Sequence, residues 1–293
     1  MKEPIREEDL PKAWTKPRKH ARMHILRAHK ASKAVIIRRK PSKVFHIISW
    51  DTTTDELVHG SWFKGGLFPY YCDLSWDGEW MVYFAMGSKG AAWTGICKPP
   101  QLKTVLDSSD SSMYTGGGYF SSEKTLHSND FDSAMRRIRN FFGLENDPFK
   151  ILPLDWSVYG NDILSLRLKR DGWQQEGTSD NWVGIRLKHS GYALFCPDNP
   201  GWSWQPTKQH PILRMFYRGY LVGGYRFEFQ LEGSDLLGPE VDWATWDAKG
   251  DLLVARNSAI ERYTLNALET GVPDFRCDLE HLTPPDKPTK LAR

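Results

Sequence analysis

Two stretches of the chain share one pattern, a tight polar turn beside an apolar, β-prone run. The first extends from Asp73 to Ala85 and the second from Asp242 to Ala255. A weaker third copy begins at Asp155 and is predicted to enter a strand at Ile163 to Leu168. Aspartate and glycine favour such turns because the carboxylate caps nearby backbone N–H groups and glycine tolerates positive φ. The starting aspartates are separated by 82 and 87 residues, about twice the length of a four-stranded propeller blade.

Short β-prone runs, interrupted by glycine, proline and aspartate, fill most of the chain between His24 and Leu282. At about 42 residues for each four-stranded blade, this span fits about six blades, and five or seven are also compatible. The 13 tryptophans suit this architecture because blades pack face to face through large, flat side chains. We therefore predict an all-β, β-propeller-like domain over residues 22–282.

One segment interrupts the β pattern. Apolar residues between Asp132 and Gly143 recur at spacings of three and four, with the aspartate suited to an N-cap and the glycine to the C-terminal end. The spacing predicts a short amphipathic helix near residues 132–143.

The two ends of the chain differ from its centre. Residues 1–21 combine prolines with charged side chains and are predicted to form a flexible basic arm, and residues 283–293 a loose tail. No apolar run approaches the roughly 20 residues that cross a bilayer, so no membrane insertion is expected. The first ten residues lack the apolar core of a secretory signal, which predicts a cytoplasmic location.

The N-terminal region is strongly cationic. Twelve lysines and arginines and no acidic residue lie between Leu10 and Trp50, whereas residues 51–293 carry a net negative charge. Such a strip attracts nucleic acid, acidic protein surfaces or anionic lipid, or lies against the protein's own acidic body. The predicted electrostatic contacts are Arg18, Lys19, Arg22, Arg38, Arg39 and Lys40.

A proline-containing loop with two tryptophans, Trp202 and Trp204, is the second predicted recognition element. Exposed tryptophans serve as aromatic anchors at interfaces, although both side chains are equally compatible with burial.

The sequence gives little support to a cofactor-binding or metal-binding site. The four cysteines are far apart and are interpreted as reduced packing residues. The consecutive glycines 116–118 lack the staggered spacing of a dinucleotide loop. His20, His24 and His29 are surrounded by cations that repel a metal ion. We therefore predict no catalytic residue, no metal and no small-molecule cofactor.

The turn-and-strand stretch from Trp76 to Phe84 resembles blades of TolB-like and WD-repeat-like β-propellers. The region from His24 to Asn129, together with Asp242 to Ala255, is also similar to a group of uncharacterised bacterial proteins. The resemblance implies a propeller-type fold and supplies no catalytic residues.

Two functions follow as hypotheses. The first is a non-catalytic interaction or scaffold module that binds an acidic protein surface or a nucleic acid through its loops and basic strip. The alternative is a carbohydrate-binding protein or glycoside hydrolase, which requires a pair of carboxyl groups about 5 to 10 Å apart. Its candidates are Asp155, Asp198, Asp242 and Asp247. Aspartates in such turns also cap their own backbone, and this reading applies to Asp77, Asp155, Asp242 and Asp247.

Overall fold

The computed structural model describes most of the chain. The residues outside the description are 1–7, 9, 11–18, 41, 88–89, 109–110, 113, 132–147, 155–161, 179–182, 188–190, 197–198, 222–223 and 286–293. Contacts within the chain define two compact units. The 23–171 unit comprises Met23–Asp171, Asp247–Lys249 and His281–Arg293, and the 172–280 unit comprises Met1–Arg22, Gly172–Trp246 and Gly250–Glu280.

The 23–171 unit begins with a four-stranded antiparallel meander, sheet A. Its strands are β1 (Arg22–Arg27), β2 (Lys33–Arg39), β3 (Val44–Asp51) and β4 (Glu56–Lys64), hydrogen-bonded in that order. Valine, isoleucine and aromatic residues dominate β2 and β3, where branched and flat side chains pack well on a pleated surface. These strands fall within the region from His24 to Leu282 where the sequence predicts β-prone runs.

Two more sheets complete the β-structure of this unit. Sheet B contains β5 (Gly66–Leu67), β6 (Asp73–Leu74), β7 (Met81–Met86), β8 (Ala92–Cys97) and β9 (Thr104–Ser108), with a 3-10 turn at Pro69–Tyr71. Sheet C contains β10 (Tyr119–Ser122), β11 (Thr125–His127) and β12 (Lys150–Leu152).

Sheets A, B and C pack face to face in chain order. Successive side chains of a strand point to opposite faces of its sheet, and β7 illustrates this. Met81 and Tyr83 join a buried cluster with sheet A, whereas Val82 packs with side chains of sheet C. Burial of both faces explains why every residue from Met81 to Ala85 is fully buried.

A helix, α1 (Asp162–Arg170), replaces the strand predicted at Ile163 to Leu168. Ile163 packs in a buried cluster with Tyr71 and Phe84. Arg167 is buried four residues later, which is helical spacing. The prediction of a third turn-and-strand copy is therefore wrong from Ile163 onward, and its turn at residues 155–161 lies outside the described residues.

The 172–280 unit contains two sheets. Sheet D has β13 (Gln174–Gln175), β14 (Val183–Leu187), β15 (Gly191–Phe195), β16 (Trp202–Trp204), β17 (Leu213–Leu221) and β18 (Gly224–Leu231). Sheet E is a meander of β19 (Val241–Trp246), β20 (Leu252–Arg256), β21 (Ala259–Tyr263) and β22 (Phe275–Asp278). A short helix, α2 (Leu265–Thr270), begins at its N-cap Thr264 and ends at Gly271, which has φ 69°.

Tryptophans form much of the core of the 172–280 unit. Trp243 lies edge-on to Phe227 and Phe229, with ring centroids 5.6 and 5.5 Å apart. The indole N–H of Trp246 donates to the carbonyl of Trp204 at 3.3 Å. Large aromatic side chains thus bury much of the apolar surface of this unit.

The two clearer sequence copies are both β-hairpins. In the first, β6 pairs with β7, and in the second β19 pairs with β20. The turn carboxylates play the same role, since Asp77 accepts from the N–H of Glu79 at 3.0 Å and Asp247 from that of Lys249 at 2.8 Å. The capping role is thus confirmed for Asp77 and Asp247. The helix predicted near residues 132–143 lies outside the described residues.

Candidate functional site

Four cationic side chains lie at one end of sheet A. Arg39 is the last residue of β2, Lys40 and Lys43 lie in the turn to β3, and Lys64 is the last residue of β4. The register brings these positions together, because the Lys40 N–H donates to the carbonyl of Val44 and Val44 lies opposite Lys64. We call Arg39, Lys40, Lys43 and Lys64 the basic end of sheet A.

The charge at this end is largely uncompensated. Arg39, Lys43 and Lys64 form no ion pair with any residue that the structure describes. By contrast, the exposed Lys30 pairs with Glu123 at 2.5 Å, and Lys33 pairs with Glu79. No acidic residue occurs between Leu57 and Cys72 in the sequence. The basic end therefore presents positive charge to solvent, and Arg39 also contacts the Phe45 ring at 5.5 Å.

A row of stacked side chains lies beside the basic end, on the same face of the sheet as Lys40 and Lys64. Arg38, His46 and Trp62 are paired across β2, β3 and β4. The His46 and Trp62 rings are 4.1 Å apart and inclined by 10°, and His59 stacks on His46 at 5.2 Å. We call Arg38, His46, His59 and Trp62 the stacked row.

Burial differs along the stacked row. Arg38 and His46 are buried, Trp62 is half-buried and His59 is exposed. Arg38 donates to the carbonyls of Lys40 at 3.4 Å and Leu282 at 3.1 Å. It therefore anchors the turn and the C-terminal segment from inside the protein while its charge adds to the local positive potential.

The histidines of the stacked row are uncharged near neutral pH. Burial, followed by the charges of His59 and Arg38, lowers the pKa of His46 to about 4. Burial and His281 also lower the pKa of His59. Both rings thus act as flat aromatic surfaces, while the positive charge of this region comes from its arginines and lysines.

The residues predicted to form one basic strip differ in burial. Lys19 is exposed, Arg22 is half-buried as the first residue of β1, and Arg18 lies outside the described residues. Arg38 is buried, so a direct contact from its side chain to a partner is corrected to an anchoring role. Arg39 and Lys40 are the members that the structure places together at the sheet end.

Trp202 and Trp204 are buried, with 8% and 9% of their surfaces exposed. They belong to β16 rather than to an open loop. The Trp204 ring packs against Trp173 at 5.6 Å. Of the two possibilities left open by the sequence, burial is therefore correct, and these side chains stabilise the 172–280 unit instead of serving as exposed anchors.

A second charged cluster occupies the interior of the 23–171 unit. Asp171 lies 3.3 Å from Arg27 and 2.8 Å from Arg170, which also pairs with Asp73. Burial raises the pKa of Asp171, but the charges of Arg170 and Arg27 outweigh it and hold the pKa well below the ordinary aspartate value. Because every one of these four groups is nearly enclosed and already paired, the cluster joins α1 to the sheets and offers no open reactive group.

Two of the four carboxylate candidates, Asp242 and Asp247, lie in the described part of the chain. Asp247 is buried and accepts the Thr52 hydroxyl at 2.6 Å in addition to capping its turn. Asp242 is half-buried in β19, and Asp155 and Asp198 lie outside the described residues. A groove of about 660 Å³ is lined by residues of Glu228 to Pro239, but its Glu228 is held by Arg218 at 2.8 Å.

The three histidines considered as metal ligands, His20, His24 and His29, have different surroundings. His24 is buried against Arg167, and His29 lies 3.4 Å from Asp171. Within the described ranges, no group of three or more histidine, cysteine or acidic side chains is arranged to hold a metal ion. Three cysteines, Cys72, Cys97 and Cys196, are buried, and the half-buried Cys277 has a pKa that burial raises.

Sequence reasoning missed Lys64, Trp62, His46 and His59 as members of a site. The signal that could have found them was the absence of acidic residues from Leu57 to Cys72 around one tryptophan. In the part of the chain that the structure describes, no helix has the length and apolar character needed to cross a membrane. No protein-family model matches this chain, and no curated protein matches it.

Proposed function

We propose that the protein is a non-catalytic interaction module that binds an anionic macromolecule, a nucleic acid or an acidic protein surface, at the basic end of sheet A. The observation that carries this proposal is the convergence of Arg39, Lys40, Lys43 and Lys64 at one sheet end, where Arg39, Lys43 and Lys64 form no ion pair with a residue that the structure describes. Clustered cations raise the local concentration of an anionic partner and speed its association.

The sheet architecture supports the same proposal. Sheets A and E are four-stranded antiparallel meanders, and sheets A, B and C pack face to face in chain order. These are features of propeller blades. We propose that the sheets are blades of one β-propeller-like domain over residues 22–282, whose rigid strands hold the basic end in a fixed geometry. A crystal structure that showed the sheets in an open, non-radial arrangement would contradict this fold.

The binding proposal is tested with polyanions of different chemistry. We expect the wild-type protein to bind a fluorescent oligonucleotide or polyglutamate at low salt, as measured by fluorescence anisotropy. The Lys43→Gln/Lys64→Gln double variant should bind both more weakly. The charge-matched control is Lys124→Gln/Lys208→Gln, which removes two exposed lysines outside sheet A. Equal loss in both double variants would show that only the overall charge matters and would contradict a localised site.

A further inference from the structure

The Trp62 indole has one face against His46 and the other directed away from it. The two rings are nearly parallel at 4.1 Å, and His46 lies on the neighbouring strand β3. Among the described residues, no strand of sheet A lies beyond β4. The indole ring is half-buried, so part of it reaches solvent. At the neighbouring Ser61, the edge of β4 is covered by Pro100, whose carbonyl accepts from the Ser61 N–H at 3.1 Å.

Cations surround this aromatic edge. Lys64 is two residues from Trp62 on the same face of β4, about 6.6 Å along the strand. Lys40 and Val44 form the adjacent cross-strand row with Lys64. The Arg38 guanidinium carbon lies 5.9 Å from the centroid of the Trp62 ring. A flat π surface and several cationic groups thus occur within the dimensions of one or two nucleotides.

From this arrangement we infer that the basic end of sheet A binds single-stranded nucleic acid, with an unpaired base stacked on Trp62 and phosphates held by Lys40, Lys43 and Lys64. This inference rests on the proposed function, because it names the partner class of the same surface. Stacking platforms beside cationic tracks bind single strands with little sequence preference, since every base has a π face.

The chemistry of the surface favours this partner over an acidic protein. Carboxylates would neutralise Lys43 and Lys64, but a carboxylate offers no flat π surface to the half-buried Trp62 ring. A duplex would satisfy the lysines through its phosphates, but its bases are already stacked and paired. An unpaired base in a single strand engages the tryptophan and the lysines together.

The test compares four probes in anisotropy titrations with the full chain. These are an oligothymidylate, an abasic oligonucleotide with the same number of phosphates, a duplex and polyglutamate. We expect the wild-type protein to bind oligothymidylate about tenfold more tightly than the abasic strand, which corresponds to one stacked base. Trp62→Leu should abolish this difference, whereas Trp62→Tyr should retain most of it because the phenol ring also stacks.

A photocrosslinking experiment with the wild-type protein tests the inference without depending on the folding of a variant. Irradiation of the wild-type protein with a 5-iodouracil oligonucleotide is expected to attach the base within residues 59–64. Circular dichroism and thermal unfolding show whether Trp62→Leu keeps its fold. If that variant unfolds, the crosslinked residue decides the question by itself, and a crosslink confined to other parts of the chain overturns the inference.

The outcomes separate this inference from the proposed function. Base stacking is overturned if thymidylate and abasic strands bind equally, or if duplex or polyglutamate binds more tightly. If binding is also weaker in Lys43→Gln/Lys64→Gln, the anionic-partner proposal remains in place. Absence of binding to all four probes at low salt overturns both. Preference for oligothymidylate with sensitivity to both Trp62→Leu and the lysine variant supports both.

Discussion

The Nε2 atom of His24 lies 3.1 Å from a guanidinium nitrogen of Arg167, and both side chains are buried. Arginine has only donors, so Nε2 must accept this hydrogen bond and the proton of the neutral ring must reside on Nδ1. Burial and the charge of Arg167 lower the pKa of His24 well below 6.5. The contact therefore fixes both the charge and the tautomer of this histidine.

We predict that His24 remains in the neutral Nδ1–H form as the pH falls through the ordinary histidine range. Two-dimensional ¹H–¹⁵N spectra of the imidazole nitrogens report this directly, with a urea-unfolded sample as the reference. A His24 signal that titrates with the same midpoint as the unfolded reference would contradict the geometry.

Removal of a charge from the buried cluster should destabilise the protein strongly. Asp171→Asn removes the carboxylate that lies 3.3 Å from Arg27 and leaves Arg170 with Asp73 alone, in a nearly enclosed site. We expect the free energy of unfolding to fall by about 3 kcal/mol, because breaking a buried pair leaves an uncompensated charge. Urea unfolding measures this loss.

The control for that prediction is Glu123→Gln. Glu123 pairs with Lys30 at 2.5 Å, but both side chains are more than half exposed, and such pairs contribute little to stability. A loss of stability in Glu123→Gln similar to that in Asp171→Asn would mean that burial is not what makes the cluster important.

Stability should decrease in mild acid because of His46. Its pKa is about 4 in the folded protein and near 6.5 when unfolded, so the unfolded state binds more protons between these values. The stabilisation is fully present above pH 6.5 and is lost as the pH falls towards 4.

The His46→Phe variant keeps an aromatic ring beside Trp62 but removes the titrating group. Between about pH 7 and about pH 5, we expect the wild type to lose about 1 kcal/mol more than this variant, allowing for solvent screening near the exposed His59. Parallel losses in the two proteins, measured by urea unfolding at each pH, would show that His46 is not the responsible group.

The turn glycine of the second hairpin should resist substitution more than a glycine in open space. Gly250 has φ 90°, and a Cβ there would lie 2.5 Å from Nε2 of His210. We expect Gly250→Ala to lower the free energy of unfolding by about 3 kcal/mol, from backbone strain and this collision. Gly233 has φ 70° with no atom within 4 Å, so Gly233→Ala should lose about 1 kcal/mol. Equal losses would exclude a contribution from His210.

Local sequence patterns predicted much of the β-structure. The Asp77 and Asp247 turns were predictable because a turn aspartate commonly accepts a hydrogen bond from the backbone N–H two residues later. The helix α1 was not, because Leu164, Leu166 and Leu168 alternate like a strand. Its helical face is completed by Arg167, whose burial depends on the carbonyls of Pro69 and Cys72, far away in sequence. A buried arginine cannot be recognised before its distant partners are known.

The candidate site was predictable only in part. Arg39 and Lys40 belong to the cationic N-terminal region, but Lys64 joins them through the register of β3 with β4. The burial of Trp202 and Trp204 depends on the packing of sheet D, including the contact with Trp173. Composition indicated that cations and tryptophans are abundant, whereas the strand pairing determines which of them share a surface.

The salt dependence of single-strand binding tests the central claim most directly. If Lys40, Lys43 and Lys64 each neutralise a phosphate, the logarithm of the binding constant should fall with the logarithm of salt concentration at a slope of about −2.1. The Lys43→Gln/Lys64→Gln variant should reduce the slope to about −0.7. A wild-type slope near zero, or an unchanged slope in the variant, would contradict binding at the basic end of sheet A.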